Sequence, residues 1–91
     1  MKLITANKFL KKSHNLLKYH KILESELESA FNKLKKNPFE PSLKTHKLHG
    51  KLSGYWACKV TNDLRIIFEL VEDKKEICIF LHSIGKHDEV Y

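Results

Sequence analysis

The side chains able to do chemistry crowd into the second half of the chain. His46, His49, Lys51, Lys59, Arg65, His82, His87 and Tyr91 all fall within the stretch THKLHGKLSGYWACKVTNDLRIIFELVEDKKEICIFLHSIGKHDEVY. Cleaving RNA by attack of a ribose 2′-hydroxyl on the adjacent phosphate needs three things. A base takes the 2′ proton, an acid protonates the leaving 5′ oxygen, and a cation stabilises the charge on five-coordinate phosphorus. Imidazole serves as base or acid because its ordinary pKa lies near ~6.5. A guanidinium serves as clamp because its fork matches two phosphate oxygens.

Each of these residues also has a plainer reading. Arg65, the one arginine among 17 Lys and Arg residues, is either a phosphate ligand in mid-sheet or an ion-pair partner of Glu69. His87, after Gly85 and Lys86, is either catalytic or a surface imidazole. Of His46 and His49, one is expected to function and the other to sit in solvent. His82 alternates with Ile and Phe, which suits a core or interface histidine as well as a catalytic one. Lys59 and Lys51 hold phosphates or stay wet. Asp63 orients an imidazole or favours a turn. Tyr91 and Trp56 are candidates to stack on bases, whereas Tyr55 reads as core. His46 and His49 make a weak metal motif without an obvious third ligand.

The elements that must hold these groups can be read from periodicity. Met1–Ile4 is a frayed end or an edge strand, and Thr5 is a plausible helix cap. Phe9, Leu10, Leu16 and Leu17 have helical spacing. So do Ile22, Leu23, Leu27, Ala30, Phe31 and Leu34, after a break at Tyr19–His20. In this second helix Glu24, Glu26 and Glu28 come early and Lys33, Lys35 and Lys36 late, which complements its dipole. Asn37–Pro38 ends it. Residues 39–48 form an irregular connection, and Gly50 and Gly54 bracket a turn.

Three strands follow, at 55–60, 64–71 and 76–83, joined by the turns 61–63 and 72–74. Tight turns make them antiparallel neighbours. Leu64, Ile66, Phe68 and Leu70 share one face, against Arg65, Ile67, Glu69 and Val71 on the other. The helical hairpin is expected to cover one face and leave the face with Arg65 and His82 for a ligand or partner.

Composition sets the outer bounds. Ninety-one residues read as one domain, 1–91. The formal net charge of +6 steers such a domain toward polyanions. Cys58 and Cys78 lie in strand-like runs outside any CxxC pattern. With no export signal, they suggest reduced thiols and a cytoplasmic protein. No run approaches 18 apolar residues, so no membrane span is expected. Physics alone reaches a basic nucleic-acid-binding domain, with nuclease as one reading.

Taken together, the helical hairpin, the block NPFEPSLKTHKLHGKLSGYWACKV, the strand DLRIIFEL and the ending IGKHDEVY resemble the RelE/ParE superfamily of bacterial toxins. Within it, the RelE/StbE group with YafQ-like features is the most similar. The resemblance implies an α+β RelE-like fold, in which an N-terminal strand and a helical hairpin pack on a small, mainly antiparallel sheet. It also implies the toxin half of a type II toxin–antitoxin module, a metal- and cofactor-independent ribonuclease that cuts mRNA on the ribosome. An acidic antitoxin would neutralise it, and operator DNA would be bound only through the antitoxin complex.

Residue by residue, the YafQ-like pattern favours His46 and maps onto Asp63, His87 and Tyr91. A family histidine is replaced by Lys59, and a family arginine of the last strand by Ser83. Arg65 matches instead the strand arginine of RelE-type toxins, whose two strand lysines fall here on Trp56 and Cys58. The expected catalytic set is therefore His87, His46, Arg65, Asp63 and Tyr91, with RNA contacts from Lys59, Lys51, Trp56, His49 and Lys86. The alternatives are a ParE-like inhibitor of DNA gyrase and a non-catalytic module that binds antitoxin and operator.

Overall fold

In a computed structural model that describes residues 1–90, apart from the side chains of Asp88 and Glu89, the chain forms a five-stranded sheet with two helices packed on one face. Strand β1 (Lys2–Thr5) leads into α1 (Asn7–Tyr19) and α2 (Leu23–Lys36). A 3-10 turn at Pro41–Leu43, the two-residue strand β2 (His46–Lys47) and a second 3-10 turn at Gly50–Leu52 make the connection. Then come β3 (Trp56–Lys59), β4 (Leu64–Asp73), β5 (Glu76–Lys86) and a last helical turn, α3 (His87–Val90). The strand order is β1-β5-β4-β3-β2. All neighbours are antiparallel except β1 and β5, which run parallel. The α+β architecture expected from the sequence is the one observed.

The apolar faces explain the layering. Phe9 of α1 and Leu27, Ala30 and Leu34 of α2 are buried against Cys58, Leu64, Ile66, Phe68, Ile79, Leu81 and Ile84 of the sheet. Leu43 closes the core from the first 3-10 turn. Burying each such side chain stabilises the fold by about 1.5–3 kcal/mol.

Several boundaries differ from the sequence reading, each for a local reason. Thr5 is not the helix cap. It is paired with Leu81 in β1, and Ala6 caps α1 without a side-chain hydrogen bond. The second hairpin is tighter than 72–74, because its strands run to Asp73 and resume at Glu76. Lys74 and Lys75, at φ 50° and 70°, make the two-residue turn. Positive φ at both positions gives the backbone twist that matches flanking strands.

The last strand runs on to Lys86, and its phase shifts on the way. Phe68 pairs with Leu81 but Ile67 pairs with Ser83, so His82 is the extra residue of a β-bulge. Strict alternation would put Ile84 on the same face as Cys78 and Phe80. The bulge instead turns Ile84 into the core beside Ile66 and brings Ser83 and Gly85 to the opposite face.

That opposite face is only partly open, which corrects the simplest expectation. Ala57, Ile67 and Cys78 are fully buried although they lie outside the helix-side cluster. The Gly50–Leu52 turn folds back over this face far enough for Leu52 to line one groove with His82 and Ser83. Gly50 and Gly54 sit at φ 70° and 95°, a region that glycine enters without strain.

Candidate functional site

The strand register decides which side chains can meet. His46 of β2 pairs with Ala57, Ala57 with Ile67, and Ile67 with Ser83. Cross-strand partners share a face, so His46 lies in one row with Ser83 on the side away from the helices. The next row in that face is Lys59, Arg65 and Gly85. Lys59 and Arg65 are directly opposite each other. Val60 and Leu64 form the adjacent hydrogen-bonded pair, so Lys59 and Arg65 are a close, non-hydrogen-bonded pair with Cα atoms about 4.5 Å apart. Like charges placed this way repel unless an anion lies between them.

Arg65 is half-buried, and its Nη1 donates to the carbonyls of Thr61 (2.5 Å) and Leu64 (3.2 Å). These bonds aim the guanidinium toward the turn at 61–63. Glu69 is on the same strand but toward its other end, about 13 Å along at the rise of a strand. The alternative of an Arg65–Glu69 ion pair is thus not what forms. Gly85, directly across from Arg65, brings no side chain to compete for the space above it.

His46 is exposed, and its Nδ1 is 3.0 Å from the carbonyl of Lys44. A carbonyl only accepts, so Nδ1 carries the proton and Nε2 keeps its lone pair. The neutral ring is therefore in the tautomer a base requires. Lys44 presents that carbonyl because it adopts the left-handed conformation, φ 49°, ψ 41°, at the end of the 3-10 turn. Thr45 holds the same connection through its hydroxyl, which donates to the Pro38 carbonyl at 2.5 Å.

His87 is exposed at the start of α3, and its backbone N–H donates to the Asp63 carbonyl at 3.2 Å. Asp63 thus holds the His87 backbone through its main-chain carbonyl. By strand spacing, His87 lies within roughly 10 Å of Arg65 and His46 within roughly 12 Å, Cα to Cα.

Other expected residues fall elsewhere. Trp56 is in the row of Lys47 and Phe68, on the helix side. Its ring packs edge-on against Phe39 at 5.0 Å, with the Lys47 ammonium 5.5 Å from its centroid. It cannot stack on a base held by Arg65 from there. Lys86 is paired with Leu64, whose side chain enters the core, so its strand position also faces the helices. His49, which caps the second 3-10 turn, and Lys51 within it are both exposed, off the strands themselves. Tyr91 lies outside the described residues.

Tyr55 and His82, the first read as core, meet at a tilt of 57° with ring centroids 4.8 Å apart. Burial holds the His82 imidazole below its usual pKa, with the Lys8 ammonium adding to the effect and Glu69 opposing it. Its Nδ1 is buried with no hydrogen-bond partner among the described residues. Cys58, in the core, is pushed up to about 12 by burial. No cluster of three or more His, Cys, Asp or Glu side chains suited to a metal occurs among the described residues.

Sequence reasoning missed β2, the left-handed Lys44 and the bulge. A two-residue strand has no periodicity to read. The bulge did leave one trace, an isoleucine at 84 out of phase with Ile79 and Leu81.

An α+β fold of this topology is the RelE-like one. The chain belongs to the family described as the bacterial toxin of type II toxin–antitoxin systems, YafQ, whose pattern matches residues 1–91. No curated protein sequence matches it. Among solved structures, it resembles a YoeB/ParE toxin from Agrobacterium tumefaciens at 17% identity and a TM-score of 0.81, covering 96% of this chain and 99% of that one. It resembles YafQ from Escherichia coli at 21% and 0.80, covering 98% and 96%. A copper-bound mutant toxin from Helicobacter pylori is 28% identical, with a TM-score of 0.79 and coverage of 100% and 99%.

Proposed function

We propose that this toxin is a ribonuclease that cuts mRNA on the ribosome with protein groups alone. The observation that carries this reading is the facing pair Lys59 and Arg65, set between His46 and His87. The two cations hold the scissile phosphate. His46 Nε2 takes the proton of the 2′-hydroxyl, whose oxygen attacks phosphorus. His87 gives a proton to the departing 5′ oxygen, leaving a 2′,3′-cyclic phosphate and a 5′-hydroxyl. Charge on the phosphoryl oxygens grows as this proceeds, and Lys59 and Arg65 meet it there. Asp63 holds His87 in place through its carbonyl. Lys59 replaces a family histidine and acts as a phosphate ligand rather than a base.

The partner in this reading is an acidic antitoxin, which complements the +6 chain. It is supported by the solved DinJ–YafQ toxin–antitoxin complex from Escherichia coli, which is 21% identical to this chain. Operator DNA is reached only through that complex. The site of action is the cytoplasm, where the ribosomes are; among the described residues, no helix is long and apolar enough to cross a membrane.

The test is expression without antitoxin of the parent and of Arg65→Ala, His46→Ala and His87→Ala, following growth and mRNA integrity. The parent is expected to arrest growth and cut mRNA, and each variant to lose most of both. Arrest with broken DNA and intact mRNA would place the target at gyrase instead. Equal toxicity of all three variants would remove the assigned site.

A further inference from the structure

Where the sheet face opposite the helices meets the edge of β5, a groove of about 310 Å³ is lined by Lys8, Lys12, Leu52, His82, Ser83, Ile84 and Val90. It exists because β1 stops pairing at Leu81. Beyond that point β5 has β4 on one side and, among the described residues, no strand on the other, and α1 packs against β5. The volume is at the lower end for a small-ligand site. Leu52, Ile84 and Val90 give it apolar walls. The His82 ring, which meets the Tyr55 ring at a tilt of 57°, brings an imidazole to its lining. Lys8 and Lys12 are one helical turn apart, with Cβ atoms about 5–6 Å apart along one rim.

We propose that this groove is a nucleotide subsite, which takes a base of the RNA against His82 and the adjoining phosphates against Lys8 and Lys12. A groove with apolar walls, an imidazole and cations along one rim matches a nucleotide's apolar base and anionic linkage. A carboxylate side chain would need the cations but not the apolar walls. The groove also continues from the site: Ser83 is a wall of it and the last member of the row that begins at His46. A strand lying across Lys59 and Arg65 is led into it. His82 Nδ1 is buried with no hydrogen-bond partner among the described residues, a cost that a base edge can repay once the ring turns to meet it. The inference rests on the reading of this face as an RNA surface.

The experiment titrates the intact toxin with a short single-stranded RNA fully 2′-O-methylated, so that it cannot be cut, and follows the methyl signals of Leu52, Ile84 and Val90 and the ring signals of His82 by NMR. These are expected to shift at saturation. In the double variant Lys8→Gln/Lys12→Gln, the RNA is expected to bind about tenfold more weakly. The slope of log affinity against log salt should shrink by about 1.4, or ~0.7 for each phosphate that a lysine no longer neutralises. Circular dichroism checks that the variant folds. Saturating RNA that leaves the groove signals unmoved, or a double variant with parental affinity and salt slope, overturns the proposal. So does a groove filled by an acidic antitoxin peptide and never by RNA. Because this RNA is uncleavable, absence of ribonuclease activity would sink the catalytic reading without touching this result.

Discussion

At the scale of residues, the site turns on which hydrogen bonds leave which atoms available. Arg65 gives Nη1 to the Thr61 and Leu64 carbonyls and so has a fixed direction. Lysine cannot reproduce both that tether and a fork. Arg65→Lys is therefore expected to retain fold and lose about 10²-fold in cleavage rate, the scale of removing one preorganised charge stabiliser. Single-turnover cleavage by purified toxin would measure it.

His46 depends in the same way on Lys44. Lys44→Gly keeps the left-handed turn and should leave cleavage close to parental. Lys44→Val strains it by about 1–2 kcal/mol, moves the carbonyl from Nδ1 and should lower activity well beyond its effect on stability. Comparing urea midpoints with cleavage rates separates the two.

His82 has a pH signature. Its folded pKa lies below the unfolded value, so below pH ~6.5 the unfolded chain binds more protons and stability falls as the solution is acidified. His82→Phe keeps an aromatic ring beside Tyr55 and should flatten the loss between pH 7.5 and 5.5 in urea titrations at each pH.

At the scale of elements, β5 does the most, because its bulge lets one strand serve two purposes. Cys78 and Phe80 face away from the helices while Ile84, four residues past Phe80, is still core. The helices and the three long strands were legible because their apolar residues repeat at 3.6 or 2. So was the division of β4 into a core face and an Arg65 face. The bulge and β2 were not, since each is a single departure from a period. Trp56 shows the cost of reading type before face. In a strand over 55–60, residues 56 and 59 fall on opposite faces, yet an aromatic ring in a basic stretch suggested stacking on RNA, and the structure gives it to Phe39 and Lys47. The β4–β5 hairpin offers a stability test. Lys74 and Lys75 both take positive φ, which Asn-Gly adopts at lower cost. Lys74→Asn/Lys75→Gly should raise stability by about 1 kcal/mol, or ~4–8 °C in Tm for a domain of this size. A scanning calorimeter would show it, with cleavage unchanged.

At the scale of the whole molecule, a basic chain of 91 residues combines a thin core with a crowded charged face. Small domains have little stability to spare. Truncating one fully buried side chain, as in Leu34→Ala, should cost about 2–5 kcal/mol, enough to leave much of the population unfolded at 37 °C by circular dichroism. Both thiols are buried, Cys58 in that core and Cys78 on the opposite face of the sheet, and both are free of disulfides. An aromatic disulfide reagent should find neither Cys58 nor Cys78 in the native protein and both after denaturation, since thiolate is the reactive form. The parallel pairing of β1 with β5 has a consequence for synthesis. Residues 2–5 must wait for residues 78–81, and closure across so long a separation is intrinsically slow. A growing polypeptide whose residues 78–81 are still threaded through the exit tunnel therefore has no partner for its first strand.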